Sequence, residues 1–80
     1  MSDIIKEYLT ENDPLHFIKN GGNINEYILV SEKLYEDYIK QGKLYKYNVF
    51  ERFQEVYWQG ALKDNLCKVL CDSINQKFIN

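Results

Sequence analysis

The sequence predicts a mostly α-helical chain folded as a compact bundle of four or five helices, and three observations carry that prediction. Apolar residues recur at three- and four-residue spacing along most of the 80 residues. Turn-forming residues punctuate them at intervals of about one helix. The hydrophobic share of 45%, with 15% aromatic, suits a globular core. The alternative is an α+β fold with a small two-stranded element over residues 27–30 (Tyr27, Ile28, Leu29, Val30) and 43–49 (with Leu44, Tyr45, Tyr47 and Val49). No linker, repeat or low-complexity tract divides the chain, so one small domain over residues 1–80 is expected.

Ser2 or Asp3 caps a first helix whose apolar positions are Ile4, Ile5, Tyr8 and Leu9, and the run Thr10-Glu11-Asn12-Asp13-Pro14 ends it. Asp13 before Pro14 reads as an N-cap and first helical position, which predicts a second short helix over residues 15–20 closed by Gly21 and Gly22. Residues 23–41 admit two readings. As one helix they open on the capping-box-like Asn23-Ile24-Asn25-Glu26 and align Ile24, Tyr27, Ile28, Ser31, Leu34, Tyr35, Tyr38 and Ile39, leaving Leu29 and Val30 off that face. As a strand and a helix, residues 27–30 are extended, Ser31 caps a helix over 32–41, and Gly42 closes it. The helical reading is preferred. From Asn48 a stripe of Val49, Phe50, Phe53, Val56 and Tyr57 predicts a helix with one core-facing side, and the break after it falls between Gln59 and Asp64. A last helix, about residues 61–78, carries Cys67, Leu70, Cys71, Ile74 and Phe78 on one side. Leu62, Leu66 and Val69 widen its apolar arc and predict contacts on two sides.

Function is approached by exclusion. No apolar run reaches a membrane span, and Met1-Ser2-Asp3 lacks a basic leader region, so a soluble, cytoplasmic protein is expected. His16 is the single histidine, and no motif places a nucleophile beside it. Cys67 and Cys71, four apart on a helix, share a face but not disulfide geometry, and they read as buried small hydrophobes. Gly21 and Gly22 lack a phosphate-loop context. No catalysis, cofactor or metal site is therefore expected.

A net charge of −2 and a pI near 5.3 disfavour a polyanion partner, although residues 1–40 carry about −4 and residues 41–80 about +2. Such a dipole can orient a foreign partner or a second copy. A chain of 80 residues buries only a little over half of its unfolded surface, which makes a homodimer a second route to stability. Trp58, projected on a helix, points away from the apolar stripe toward Glu51 and Glu55. With Arg52, Gln54 and Gln59 nearby it is the candidate protein interface. Lys40, Lys43, Lys46 and Arg52, interleaved with Tyr45 and Tyr47, form the candidate nucleic-acid segment, diluted by Glu51. Glu26, Glu32, Glu36 and Asp37 read as a solvated acidic face, with phosphate mimicry as the sharper option.

Nine lysines against one arginine, eight each of Asn and Ile, and a single Ala are the residues of A+T-rich codons. An A+T-rich genome fits many bacteria, their phages and some parasites, and together with the short length the composition suggests a phage or mobile-element accessory protein. The expectation is a small non-catalytic protein-binding module that binds and inhibits a host factor. A nucleic-acid-binding regulator and a structural homo-oligomer are the alternatives.

Overall fold

The computed structural model describes residues 2–79 and contains four α-helices, α1 (Ser2–Asn12), α2 (Ile28–Gln41), α3 (Lys46–Val56) and α4 (Asp64–Ile79). Among the described residues no strand occurs, so the two-stranded alternative is not formed. The α2 helix packs on α1 and α3, α3 packs on α4, and α1 touches α4, giving a particle of 34 × 23 × 18 Å.

Ile5 and Leu9, four apart, place the buried side of α1 on the core. The helix ends where the Asp13 N–H donates to Leu9 O at 2.7 Å. Beyond it the short helix expected over residues 15–20 is absent, and a chain of turns runs instead to Tyr27. Asp13 and His16 have φ of 47° and 60°, left-handed values that interrupt a helix. Asp13 does not cap a helix starting at Pro14. Its carboxylate accepts Ile18 N–H at 3.1 Å and Lys19 N–H at 2.8 Å, and it accepts the Tyr27 phenol at 2.7 Å. Tyr27 Oη in turn accepts Leu15 N–H at 3.0 Å. Gly22 closes the loop where a β-carbon would lie 2.6 Å from Phe17 O.

Asp13 is partly desolvated, yet the hydrogen bonds from Tyr27, Lys19 and Ile18 outweigh that effect and hold its carboxyl below the usual value of 3.8. A depressed carboxyl contributes stability above its unfolded pKa and loses it as pH falls through the folded one. Acid unfolding is therefore expected to draw on Asp13 below about pH 4. Asp13→Asn should flatten the difference between melting temperatures at pH 6 and pH 3, and an unchanged difference would remove Asp13 from that role.

The capping-box-like Asn23-Ile24-Asn25-Glu26 forms a turn before the helix and not the helix itself. Asn23 Oδ1 accepts Asn25 N–H at 2.8 Å, while Asn23 N–H points to Glu26 Oε2 at 3.4 Å. The α2 helix then starts at Ile28, with its core side at Val30, Ser31, Leu34 and Asp37. Leu29 is off the core side as expected, but the face differs elsewhere: Ile24 and Ile39, expected on it, are 63% and 60% exposed, whereas Val30, expected off it, is fully buried. Asp37 can occupy the core side because Arg52 of α3 meets it in a two-bond fork, Nε to Oδ2 at 2.8 Å and Nη2 to Oδ1 at 2.7 Å. Arg52 also bonds Glu55 at 3.0 Å, which Lys33 of α2 reaches at 3.3 Å, so the α2–α3 seam carries a four-residue ion network. Gly42 ends α2 in the left-handed region at φ 82°, its N–H bonding Tyr38 O at 2.8 Å, as the glycine predicts.

Residues 43–45 are the connection to α3 and not a strand. Asn48 reaches back from the first turn of α3 to accept Tyr45 N–H at 2.8 Å, and the helix begins two residues before Asn48. Val49 and Phe53 enter the core, with Phe50 and Val56 half-buried beside them, as the stripe predicts. The α4 helix starts at Asp64 and buries Cys67, Leu70, Cys71 and Ile74. Leu62 is buried ahead of it and Leu66 half-buried, but Val69 is exposed, so the arc is narrower than expected. Phe78 stacks on Tyr38 with ring centroids at 4.4 Å and closes the end of the bundle against α2.

Candidate functional site

Two surfaces collect the residues singled out in the sequence, one at each end of α3. The first lies past its C-terminal end. The α3 helix stops at Val56, and Tyr57, at φ −108° and ψ −82°, turns the chain out of it. The helical projection that set Trp58 beside Glu51 and Glu55 therefore does not apply. Trp58 instead meets Phe17 edge-on at 6.2 Å and Tyr57 at 6.2 Å. Phe17 lies 5.3 Å from Tyr57 and 5.7 Å from Tyr27, so four rings from two loops form one cluster.

The cluster is fixed by its polar edges. Tyr57 Oη donates to Glu26 O at 2.9 Å, Gln54 Oε1 accepts Gly60 N–H at 3.1 Å, and Ala61 N–H donates to Trp58 O at 3.1 Å. Burial and the nearby Glu26 charge raise the Tyr57 phenol above its ordinary value. Trp58 remains 52% exposed on this support.

Of the residues grouped with Trp58 in the sequence, Arg52 and Glu55 are taken up by the α2–α3 ion network, and Gln54 holds the loop. Glu51 is exposed and makes no ion pair among the described residues. The ring partners Phe17 and Tyr27 carry no local signal of this role, because the folding of residues 13–27 over the α3 end brings them there.

The second surface lies at the N-terminal end of α3. Tyr45 and Tyr47 stack with centroids 5.6 Å apart and planes within 13°, and they are 41% and 53% exposed. Lys43 Nζ stands 5.0 Å from the Tyr45 ring centre. Lys46 pairs with Asp64 at 2.8 Å, Lys40 is exposed, and Arg52 is drawn away to Asp37. Between residues 43–46 and α4 lies a cleft of about 310 Å³ whose walls include Lys43, Tyr45, Lys46 and Lys68. Lys68 is absent from the sequence-derived set because only the packing of α3 on α4 brings it near.

The floor of this cleft is tied by hydrogen bonds. Asn75 of α4 grips the Leu44 peptide from both sides, Oδ1 accepting its N–H and Nδ2 donating to its carbonyl, each at 2.8 Å. Cys71 Sγ lies 3.2 Å from the same carbonyl.

No family model matches the chain, and neither a curated protein nor a solved structure does. The reading of function therefore rests on these two surfaces.

The remaining candidates are placed as follows. His16 is exposed on the 13–27 loop. Cys67 and Cys71 are buried free thiols, and burial pushes the Cys67 thiol up to about 11. Among the described residues no three metal-ligating side chains cluster. Among the described residues no helix is long and apolar enough to cross a membrane. Glu26, Glu32 and Glu36 are exposed, whereas Asp37 is buried against Arg52 and leaves the acidic face.

Proposed function

We propose that this chain is a non-catalytic protein-binding module whose anchor is Trp58. The observation that carries the reading is a tryptophan half open to solvent on a ring cluster that is itself hydrogen-bonded in place. Tryptophan is enriched among residues that dominate binding energy, and a pre-ordered anchor loses little conformational freedom on association. The A+T-biased composition supports a phage or mobile-element accessory protein as the setting, with a host protein as the inhibited target.

The test compares wild type and Trp58→Ala in quantitative binding to any partner recovered from cells, alongside thermal melting and solution mass by light scattering. Loss of about 2 kcal/mol or more in binding, some thirtyfold in affinity, is expected. The melting temperature should fall by only a few degrees, because half of the indole is already in water. A doubled mass that Trp58→Ala abolishes identifies the partner as a second copy. Undiminished partner affinity, or a collapse of melting, would overturn the assignment.

A further inference from the structure

We infer that the cleft between residues 43–46 and α4 is a binding site for single-stranded nucleic acid, separate from the Trp58 surface. Three features converge on it. Tyr45 lines the cleft and Tyr47 stacks on it just outside the lining, so the near-parallel pair carries half-exposed ring surface of the kind on which unpaired bases stack. Ammonium groups from the connection, from α3 and from α4 surround the same space: Lys43, Lys46 and Lys68, against Asp72 as the one carboxylate of its lining. The cleft volume of about 310 Å³, on a floor fixed by Asn75 and Leu44, falls within the range of small-ligand sites and accepts one flipped-out unit of a strand.

The local charge is opposite to that of the whole chain. Lys43 makes no ion pair among the described residues, and its ammonium rests instead over Tyr45. Lys46 and Lys68 are held by Asp64 and Asp72 in pairs that are largely solvent-exposed. Exposed pairs of this kind contribute little, so both lysines can turn to a phosphate at small cost. A base against the outer face of Tyr47 and the flanking phosphates on these lysines satisfy the stack and the charge together. Paired bases in a duplex do not offer a free face to the rings, which sets the preference for a single strand.

The probe is a fluorescein-labelled oligothymidylate of about 12 nucleotides, read by anisotropy at low salt. If all three lysines neutralise phosphates, affinity should fall about twentyfold between 50 and 200 mM salt. Lys43→Glu and Tyr47→Ala, both at exposed positions, should each weaken binding by about tenfold, with circular dichroism confirming the fold. Lys19→Glu makes the same charge change in the 13–27 loop and should leave affinity within about twofold of wild type. Equal losses in Lys19→Glu and Lys43→Glu would show a general charge effect and overturn the site. The proposal also fails if the oligomer does not bind at low salt, if a duplex binds as tightly, or if thymidine monophosphate displaces the strand at equal concentration. The Trp58 reading is unaffected by any of these results.

Discussion

Tyr27→Ala is expected to produce the largest loss of stability, lowering the melting temperature by more than about 12 °C. Tyr27 is fully buried, and removing a large aromatic side chain from a core costs about 3–5 kcal/mol. A domain of this size is stabilised by only about 4–12 kcal/mol in total. The ring also supports Phe17 and Tyr57, so the Trp58 loop loses its base with it. Tyr27→Phe separates the ring from its hydroxyl. It keeps the packing but strips Leu15 N–H of its acceptor and Asp13 of one donor, for about 1–3 kcal/mol, or a melting shift of roughly 4–8 °C per kcal/mol. If Tyr27→Phe melts like wild type, the Asp13–Tyr27 link does not order the loop.

Asn75→Ala should produce the second large loss. The Leu44 residue is buried, and its N–H has Asn75 as its acceptor, so truncation leaves that donor unpaired while Cys71 still meets the carbonyl. Leaving such a group unsatisfied costs about 1–3 kcal/mol, and loss of the second bond adds to it. Asn75→Asp makes a sharper test. Its carboxylate accepts the N–H but sets its second oxygen against the Leu44 carbonyl, so the variant should be destabilised at neutral pH. Relative to wild type it should recover near pH 4, where a protonated carboxyl can donate again. Equal destabilisation at both values would mean that Asn75 acts through packing alone.

The parts of the fold visible in the sequence are those decided by near neighbours. Ile5 and Leu9 mark α1, Val49 and Phe53 mark α3, and Gly42 stops α2, because each signal lies within a turn or two of the residue it governs. The parts that were not visible depend on distant partners. Asp13-Pro14 has the local form of a helix start, but the carboxylate is claimed by Tyr27 and by the N–H groups of Ile18 and Lys19. Asp37 interrupts an apolar face, and only Arg52 explains why it can lie inside. Val30 enters the core although the helical projection left it off the apolar face, and Ile39 leaves it, because α2 starts at Ile28 and turns its core side accordingly. At the candidate sites, Trp58 and the Tyr45–Tyr47 pair were legible as residue types out of place in an ordinary surface. Their partners Phe17 and Lys68 were not, because they arrive from other segments of the chain.

The buried thiols of α4 have a consequence for how the molecule opens. Cys67 and Cys71 are closed to solvent and held as protonated thiols, whereas alkylating reagents attack the exposed thiolate. Modification of the fully buried Cys67 must therefore wait for α4 to lift from the core, whereas Cys71 borders the cleft beside residues 43–46, and the native chain carries a chemical clock for that excursion. Opening that frees only the α3–α4 end and opening that dissolves the whole bundle differ in free energy, and the alkylation rate of the native Cys67 distinguishes them without an introduced cysteine.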